Sequence, residues 1–291
     1  MKLKVYIFLL LFIVIGCESF RNEYDENAIT IATFNVEWLG DGKDDRNPRN
    51  EYDYKRIAEV LIDLNADIIG LQEVENDLAL EKIIKFMPGY KYIVGETGYI
   101  QNPAFLYRDT IQVKFVENYK PLAVKANRTR SGLLVYVRKG NFDFYLMNVH
   151  FKSTSRADST EELKLESYEL RRKQAEVLKN WSDSILNYSN EKDIIIIGDF
   201  NDNPLRPSKI LSPLIFSNNF LFLTDKLGSC KNSDWDNIDH IVVNKSVFER
   251  FIQGSVYMYN IPAKYEDYEV KKISDHCPVI AKFNILLPDN D

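Results

Sequence analysis

Four consecutive isoleucines occupy positions 194–197, between Asp193 and Gly198, and acids and amides follow them. An unbroken apolar run that ends at a glycine is typical of a strand buried on both faces. Side chains two residues apart point the same way in an extended chain. If the chain stays extended beyond Gly198, Asp199 and Asn201 therefore face one point at the carboxyl end of the strand. We expect the chemistry of the protein at that point.

Other apolar or alternating segments predict a strand-rich fold, and several of them run into polar residues. The predicted strands lie at 28–35, 67–71, 90–94, 104–107, 132–137, 142–149, 238–243 and 277–283. The polar residues at or just beyond strand ends are Asn35, Glu73, His150, Asp239, Asp275 and His276. Because sites are often assembled at the carboxyl ends of strands in sheets with outer helices, these residues join Asp199 and Asn201 as candidates.

Apolar residues at helical spacing predict helices between these strands. An amphipathic helix is indicated at 54–64 and a short helix at 78–86. Ser159, with Glu162 three residues later, matches a capping box and predicts a long helix that begins there and runs to about residue 185. No internal repeat, low-complexity segment or linker interrupts the chain, so we expect one domain at 28–287.

The first residues of the chain differ from the rest. Two lysines precede an uncharged apolar run at 5–15, which is too short to span a bilayer comfortably and has the length of a signal-peptide core. The run ends in VIGC, a string that resembles the lipobox of bacterial lipoproteins, in which cleavage precedes a cysteine that carries lipid. We therefore predict a lipoprotein signal peptide at 1–16, lipid on Cys17 and a polar tether at 17–27. A plain secretory peptide and an uncleaved anchor are the alternatives.

This prediction makes the protein an exported lipoprotein, anchored to a bacterial membrane through Cys17 on the periplasmic or cell-surface face. In an exported protein, Cys230 and Cys277 could form a disulfide. Cys277, however, lies inside a motif described below. Two free thiols are therefore the favoured interpretation.

The chain is acidic, with a formal net charge of −6 and a pI of about 5.3. It cannot bind nucleic acid by broad neutralisation of phosphates, so any polyanion must meet a local basic patch or bound metal cations. Arg128 and Arg130 suit such a patch because guanidinium groups match phosphate geometry, and a solvated loop is the equal alternative. Carboxylate and amide oxygens without a thiolate cluster suit Mg²⁺ or Mn²⁺ rather than zinc.

Some polar residues beside these strand ends are interpreted as structural, since acids and amides at strand ends often cap helices or form turns. Glu75 and Asp202 belong to this class. His240 is predicted to be a hydrogen-bonded surface residue, because its neighbour Asp239 points the opposite way along an extended strand. Asp275 is adjacent to His276, so these two share a site only if the chain bends there.

Six strings follow one another along the chain. They are TFNVEW at 33–38, LQEVE at 71–75, NVHFKS at 148–153, GDFND at 198–202, IDHIVV at 238–243 and SDHCPV at 274–279. Together and in this order they resemble the motifs of the endonuclease/exonuclease/phosphatase superfamily. That superfamily includes secreted deoxyribonucleases, abasic-site endonucleases, sphingomyelinases and inositol-polyphosphate 5-phosphatases. The resemblance implies an α/β fold, a four-layer α/β/β/α sandwich of two mixed, largely antiparallel sheets with outer helices.

The resemblance also implies metal-dependent cleavage of a phosphoester. Glu73 would be the principal carboxylate ligand of Mg²⁺ or Mn²⁺, with Asn35 and Asp275 nearby. Asp199 and Asn201 would position or activate the attacking water and hold the phosphate.

Two histidines take the remaining roles that the resemblance implies. His276, oriented by Asp239, would contact a phosphoryl oxygen or take the proton of the water. His150 would stabilise or protonate the leaving group. In deoxyribonuclease relatives an acid supports the second histidine, but the matching neighbourhood here reads YIQNP and contains no carboxylate. Gln101 could accept a hydrogen bond there without carrying a charge.

The sequence therefore predicts a monomeric, exported nuclease that depends on Mg²⁺ or Mn²⁺ and acts on DNA, with RNA as a further substrate. A phosphatase or phospholipid phosphodiesterase, of inositol phosphate or sphingomyelin type, is the alternative. A membrane-docking hairpin would favour the sphingomyelinase branch, and the segment at 216–222 is a weak candidate for one. A surface binding module without catalysis is the alternative hypothesis outside the enzymes, and the presence of Glu73, Asp199 and His276 argues against it.

Overall fold

The computed structural model describes residues 24–97, 100–215, 220–289 and 291. The predicted signal peptide, Cys17 and most of the tether lie outside the described residues. Within the described part of the chain, no helix combines the length and the apolar character needed to cross a membrane.

The described chain alternates between strands and helices in nearly the predicted order. The strands are β1 (Ala28–Leu39), β2 (Ile68–Val74), β3 (Tyr90–Val94), β4 (Asn102–Arg108), β5 (Gln112–Tyr119), β6 (Gly132–Lys139), β7 (Phe142–His150), β8 (Ile194–Asp199), β9 (Phe220–Phe222), β10 (Asp239–Asn244), β11 (Tyr257–Met258) and β12 (Val279–Asn284). The helices are α1 (Glu51–Asp63), α2 (Asp77–Ile84), α3 (Glu161–Tyr188), α4 (Ser212–Ile215), α5 (Lys245–Arg250) and α6 (Asp267–Ile273).

These strands form two six-stranded sheets, in the orders β11-β12-β1-β2-β4-β3 and β5-β6-β7-β8-β10-β9. Each sheet contains one parallel pair at its centre, β1 with β2 and β7 with β8. One apolar cluster fills the space between the sheets, a second packs α1 and α2 on the first sheet, and a third packs α3 on the second. The predicted four-layer sandwich of two mixed, largely antiparallel sheets is confirmed.

Helix α3 begins one residue later than its sequence pattern predicts. Thr160 is the N-cap, with an extended backbone, and its hydroxyl accepts a hydrogen bond from the Leu163 N–H at 3.3 Å. The predicted capping box between Ser159 and Glu162 is therefore wrong, because the N-cap is Thr160, whose side chain accepts a hydrogen bond from a backbone N–H of the first turn.

A buried amide joins the two sheets. The side chain of Asn148, on β7, donates hydrogen bonds across the interface to the carbonyl oxygens of Leu71 at 2.8 Å and Ala104 at 2.9 Å. Its own carbonyl oxygen accepts from the amide of Gln72 at 2.7 Å. Leu71 and Gln72 belong to β2 and Ala104 to β4, so this one side chain aligns the sheets face to face at the end where the predicted site lies.

Strands β7 and β8 approach each other too closely for a side chain at Gly198. This residue has a φ of +143°, and a Cβ atom placed on it would lie 1.9 Å from the carbonyl oxygen of Val149. Only glycine fits both the backbone conformation and the space. The pairing that results sets His150 opposite Asp199, and β10 sets Asp239 opposite the same aspartate. Three candidate residues thus stand side by side on adjacent strands.

The buried amide gives a direct test of this alignment. We expect Asn148→Ala to lower the free energy of unfolding by about 3 kcal/mol, because it leaves two buried carbonyl oxygens without donors. Chemical denaturation measures the effect. Asn141→Ala is the matched control, since the Asn141 amide makes an exposed contact with the Leu286 carbonyl oxygen. Equal effects of the two substitutions would contradict a special role for Asn148.

Candidate active site

The ends of β1 and β2 leave regular pairing where the candidate metal ligands lie. The register between the strands shifts between Asn35 and Leu39. Glu37, Trp38 and Glu73 have φ angles of +46°, +54° and +65°. Such conformations are uncommon for residues other than glycine and concentrate at functional sites. The Trp38 N–H donates to Oε2 of Glu73 at 3.1 Å, which fastens the distorted end of β1 to this carboxylate.

Five predicted residues meet at one point. The amide of Asn35 donates to Oδ2 of Asp199 at 3.1 Å and lies 3.4 Å from Oε1 of Glu73. Nε2 of His150 lies 3.6 Å from the same Asp199 oxygen and 3.8 Å from the same Glu73 oxygen. The backbone N–H of Asn201 donates to Oδ1 of Asp199 at 2.8 Å. The structure therefore brings together residues from β1, β2, β7 and the end of β8.

Asn201 reaches the site by a different route from the one its spacing predicts. The strand ends at Asp199, and Asn201 has a φ of +51°, so the chain is not extended there and the predicted common direction is wrong. The amide of Asn201 donates to the carbonyl oxygen of Phe151 at 3.1 Å. Asn201 thus ties the segment after β8 to the segment after β7 and orients Asp199 with its backbone.

His276 approaches Asp199 from the opposite side. Its Nδ1 lies 2.8 Å from Oδ2 of Asp239, and its Nε2 lies 4.0 Å from Oδ2 of Asp199 and 3.8 Å from Oδ1 of Asp275. The chain bends at Asp275 and His276. Such a bend was the condition for these two adjacent residues to share a site. The three carboxylates and the ring therefore belong to one constellation.

Ser274 holds this bend in place. Its hydroxyl donates to the carbonyl oxygen of Asn35 at 2.7 Å and accepts from the His276 N–H at 3.0 Å. Sequence reasoning did not single out Ser274. Its position as the first residue of the SDHCPV string is the signal that could have found it.

The two histidines have opposite protonation preferences. Burial alone would lower the pKa of His276, but the nearby carboxylates, above all the hydrogen-bonded Asp239, raise it well above its ordinary value. Burial lowers the pKa of His150 well below its ordinary value, and the positive charge of Arg130 lowers it further. Burial also raises the pKa of Asp199, and the neighbouring Asp239 charge adds to that effect. An imidazolium and a neutral imidazole therefore face one shielded carboxyl group.

His150 lacks the acidic partner that deoxyribonuclease-like sites have. Its Nδ1 is buried and makes no hydrogen bond to any described residue. The hydrogen bond that Gln101 was predicted to be able to accept from His150 is therefore not formed. Because Nε2 faces two carboxylate oxygens, we place the single proton of the neutral ring on Nε2.

The carboxylates beside Asn35 fit a divalent cation. Burial raises the pKa of Glu37, and the negative charges of Asp275 and Glu73 raise it further. The charges of Asp275 and Glu73 therefore both reach Glu37, and oxygen donors of this kind suit Mg²⁺ or Mn²⁺. Sequence reasoning missed Glu37, although it lies inside the TFNVEW string.

A second acidic group near the centre fits a cation less well. Oxygen or nitrogen atoms of Asp199, Asp239 and His276 lie within 4.8 Å of one another. Nδ1 of His276 and Oδ2 of Asp239 already form a hydrogen bond at 2.8 Å, so these two atoms are not free to hold an ion. We therefore favour the Glu73 side as the metal position.

The comparisons with known proteins agree with this geometry. The sequence profile described as the Endonuclease/Exonuclease/phosphatase family matches residues 32–276. The chain belongs to this family. Membership makes it a hydrolase of the class that acts on phosphoester bonds, and members generally depend on divalent metals. No curated protein matches the chain.

Solved structures of low sequence identity share the fold. A family member from Bacteroides thetaiotaomicron is 18% identical, with a TM-score of 0.59, over 91% of this chain and 98% of that chain. The D. rerio TDP2 complexed with single strand DNA product is 19% identical, with a TM-score of 0.60, over 88% and 99%. A mannosyl-6-phosphatase from Bacteroides thetaiotaomicron is 19% identical, with a TM-score of 0.58, over 87% and 98%.

The two arginines predicted to bind phosphate, Arg128 and Arg130, have different surroundings in the structure. Arg130 is half-buried, and its Nε is enclosed without a hydrogen-bond partner among the described residues. Burial lowers the pKa of Arg130, and the charges of Glu73 and Asp199 act in the opposite direction. Arg128 instead lies 2.8 Å from Oδ1 of Asp158. Both arginines line a cavity of about 200 Å³ that Trp38 closes on one side.

The residues interpreted as structural make structural contacts. Glu75 accepts a hydrogen bond from the Asp41 N–H at 3.1 Å, and Asp202 is buried beside Arg171. His240 points away from Asp239, as alternation along β10 requires. It is nevertheless fully buried, with Nε2 3.0 Å from the Asp202 carbonyl oxygen, so its predicted surface position is wrong. The alternation of the sequence predicted the direction of the His240 side chain correctly, but it could not predict that the segment around Asp202 covers this side chain.

Cys230 and Cys277 form a disulfide, so the prediction of two free thiols is wrong. The loop between β9 and β10 folds over the SDHCPV segment and brings two cysteines separated by 47 positions together. The bond therefore ties this loop to the segment that carries Asp275 and His276. On that segment, Asp275 is 43% exposed and pairs with Lys231 of the loop at 3.1 Å.

The hydrogen bond between Asp239 and His276 can be tested by titration, because the chain contains only three histidines. We expect NMR of metal-free protein to show His276 protonated above pH 6.5, while His150 and His240 stay neutral below it. Asp239→Asn should lower the pKa of His276. Since the raised pKa stabilises the folded state, the stability that Asp239 provides should be full below pH 6.5 and decline as pH rises through the folded pKa.

Asp236→Asn is the control for this titration, since Asp236 is an exposed carboxylate three residues before Asp239 and contacts Arg206. It should leave the pKa of His276 unchanged. If Asp239→Asn also left that pKa unchanged, the assigned cause of the shift would be wrong.

Removing the disulfide should destabilise the fold. For a loop of 47 residues, we expect the Cys230→Ser/Cys277→Ser variant to lose roughly 4 kcal/mol of unfolding free energy, because the unfolded chain regains conformational freedom. Denaturant unfolding with and without a reducing agent measures it. Reduction should weaken the native chain and leave the variant unaffected. A native chain insensitive to reduction would argue that the bond does not form.

Proposed function

We propose that this protein is a metal-dependent phosphodiesterase of nuclease type, which cleaves DNA and accepts RNA as a further substrate. The observation that carries the proposal is that arginine side chains line both cavities that adjoin the site, with the carboxylates of Asp236, Asp239 and Asp275 also lining the second one. The 200 Å³ cavity with Arg128 and Arg130 meets the site at Trp38, and a cavity of about 210 Å³ with Arg206 is lined by Asp239 and His276. Arginines next to Trp38 on one side of the site and next to His276 on the other suit a polyanion that carries phosphates on both sides of the cleaved bond.

Glu73, Asn35 and Asp275 would hold the Mg²⁺ or Mn²⁺ ion, with Glu37 as a further donor, and the bound ion would supply positive charge for the phosphoryl oxygens. Asp199 would accept the proton of the attacking water, because its raised pKa brings it towards neutral pH. Asn35 and the backbone of Asn201 hold this carboxylate in a fixed orientation.

His276 would act as a cationic hydrogen-bond donor. Asp239 keeps its ring protonated, so Nε2–H can donate to a non-bridging oxygen whose negative charge grows in the transition state. His150, neutral and with its proton on Nε2, would donate a hydrogen bond to the leaving oxygen. Arg130 would add positive charge from the wall of the site. These donors keep their places during the reaction because each is anchored by burial or by a second contact.

The choice of nucleic acid over other phosphoesters has two further supports. Trp235, beside His276 in the 210 Å³ cavity, is 57% exposed, and an exposed aromatic ring on which a base can stack is typical of single-strand binding. The similar TDP2 structure holds a single-strand DNA product. A phosphatase activity remains the second candidate, because a mannosyl-6-phosphatase is similar to the same extent.

A lipid substrate has less support. The segment predicted as a weak candidate for membrane docking, 216–222, lies partly outside the described residues. Its described part, Phe220–Phe222, is strand β9, which pairs with β10 at the edge of the second sheet. Because these residues belong to a sheet, they do not form a projecting hairpin.

We also propose that the protein is an exported monomer anchored through lipidated Cys17. The disulfide between Cys230 and Cys277 supports export, because disulfides persist in oxidising compartments such as the bacterial periplasm. The sequence pattern at 1–17 remains the basis for the lipid anchor and for its membrane.

A substrate panel tests the proposed function on the full chain in detergent. We expect Mg²⁺ or Mn²⁺ to support cleavage of single-stranded DNA, plasmid DNA and RNA, and EDTA to abolish it. Asp199→Asn should reduce kcat/KM by at least about 100-fold, because it removes the proton acceptor. Glu73→Gln should weaken the response to added metal.

Asp234→Asn, a change at an exposed loop carboxylate, is the control and should retain activity. Cleavage of mannose 6-phosphate, sphingomyelin or an inositol phosphate, with nucleic acids left intact, would reject the nuclease assignment and keep the site. Full activity of Asp199→Asn would reject the site. A folded protein inactive on every substrate would favour the binding module.

A further inference from the structure

A third cavity, of about 520 Å³, adjoins the proposed metal position. We name it the Trp38 cavity after the residue that separates it from the 200 Å³ cavity. Two of its lining residues are bonded directly to candidate metal ligands. The Trp38 N–H donates to Glu73 at 3.1 Å, and the Ser274 hydroxyl donates to the carbonyl oxygen of Asn35 at 2.7 Å. A group seated in this cavity is therefore a near neighbour of the cleaved bond.

Three cations from distant parts of the sequence line the Trp38 cavity. Arg46 comes from the loop after β1, Lys231 from the disulfide-tied loop, and Lys271 from α6. Lys231 pairs with Asp275. Among the described residues, neither Arg46 nor Lys271 makes a hydrogen bond or an ion pair through its side chain. Two cationic groups are thus free to bind an anion in a chain whose net charge is negative.

The Arg46 guanidinium is already oriented. It lies over the ring of Trp38, with its central carbon 4.1 Å from the ring centroid. Stacking of this kind limits the motion of the side chain while leaving the edge of the guanidinium free to donate hydrogen bonds. A planar fork of donors binds phosphate oxygens two at a time, so the geometry favours a phosphate over a single point charge.

The cavity is divided by charge. Glu37 and Asp275 line it next to Glu73, where they form the acidic group that fits a cation, and Arg46 and Lys271 supply the unpaired positive charge. Its volume lies within the usual range of small-ligand sites, roughly 300–1,000 Å³, and exceeds the space that one phosphate needs. It therefore suits a unit with an organic part and a phosphate, such as a nucleotide.

We propose that the Trp38 cavity is a subsite for a second phosphate-bearing unit of the substrate, held through its phosphate by Arg46 and Lys271. This inference rests on the proposed phosphodiesterase function and narrows its substrate class. The preferred substrates carry another phosphate beside the cleaved bond, as consecutive nucleotides do. Substrates with one phosphate fill the catalytic centre and leave the subsite without its anion.

Hydrolysis of three dinucleotides on the full chain tests this preference. They are thymidylyl-thymidine without a terminal phosphate, with a 5′-phosphate and with a 3′-phosphate. We expect one of the two phosphorylated dinucleotides to have a kcat/KM at least about tenfold higher than that of the unphosphorylated dinucleotide. The difference should lie mainly in KM, because charge-assisted contacts add binding at the subsite. In Arg46→Ala/Lys271→Ala that ratio should fall to about one.

Arg138→Ala/Lys173→Ala is the matched control, since it removes the same two charges from exposed positions on β6 and α3. It should retain the ratio. Equal hydrolysis of all three dinucleotides by the native chain would overturn the subsite while leaving the nuclease assignment intact. Loss of the preference in the control variant as well would assign it to overall charge and overturn the subsite.

Binding measured without turnover separates the inference from the proposed function. By calorimetry, thymidine 3′,5′-bisphosphate should bind at least about tenfold more tightly than either thymidine monophosphate, and the Arg46→Ala/Lys271→Ala variant should lose that difference. Equal binding of bisphosphate and monophosphates by the native chain would overturn the subsite. If the preference holds while no nucleic acid is cleaved, the subsite stands and the nuclease assignment fails.

Discussion

The burial of one carboxyl group, that of Asp199, constrains the rest of the site. A buried carboxylate needs hydrogen-bond donors or opposite charge, since its transfer from water is otherwise very costly. Asn35 and Asn201 supply donors, and His276 supplies the charge. These partners come from β1, from the turn after β8 and from the segment before β12. Their convergence requires both sheets to be aligned at this edge.

The scaffold meets this requirement with polar contacts that a purely apolar sandwich would not contain. Asn148 bonds the sheets to each other in the interior, and Ser274 bonds the His276 segment to the end of β1. The left-handed conformations of Glu37, Trp38 and Glu73 cost conformational energy, of order 1–3 kcal/mol each. The surrounding sheet must over-determine them, and they bring the carboxylate of Glu73 beside the Asn35 amide and within electrostatic reach of Glu37.

Much of this architecture follows from local patterns. The isoleucine run 194–197 identified the central strand because burial on both faces leaves an unbroken apolar string, and the order of the six strings identified the family. Local patterns failed where a distant segment decides the outcome. His240 is covered by the segment around Asp202, which is distant from it in sequence, and Cys230 lies 47 positions from Cys277.

Backbone conformation was the other source of error in the sequence-based predictions. The expected shared direction of Asp199 and Asn201 assumed an extended chain, and the left-handed turn at Asn201 removed that assumption. Such a turn has no periodic signature in the sequence. Glu37 was a different kind of omission, because alternation along a regular strand would already place it on the side of Asn35, inside the TFNVEW string.

Under the proposed function, an acidic chain binds a polyanion because two electrostatic effects act over different distances. These effects are repulsion by the net negative charge and attraction by individual arginine side chains. Charges further apart than the Debye length, about 8 Å at physiological ionic strength, are largely screened, so the net charge of −6 repels a nucleic acid only weakly at contact. Arg130, Arg206 and Arg46 line the three cavities, where under the proposed function each would meet a phosphate directly. Because these few contacts replace a broad basic surface, binding should depend on substrate shape and spacing of phosphates more than on total charge.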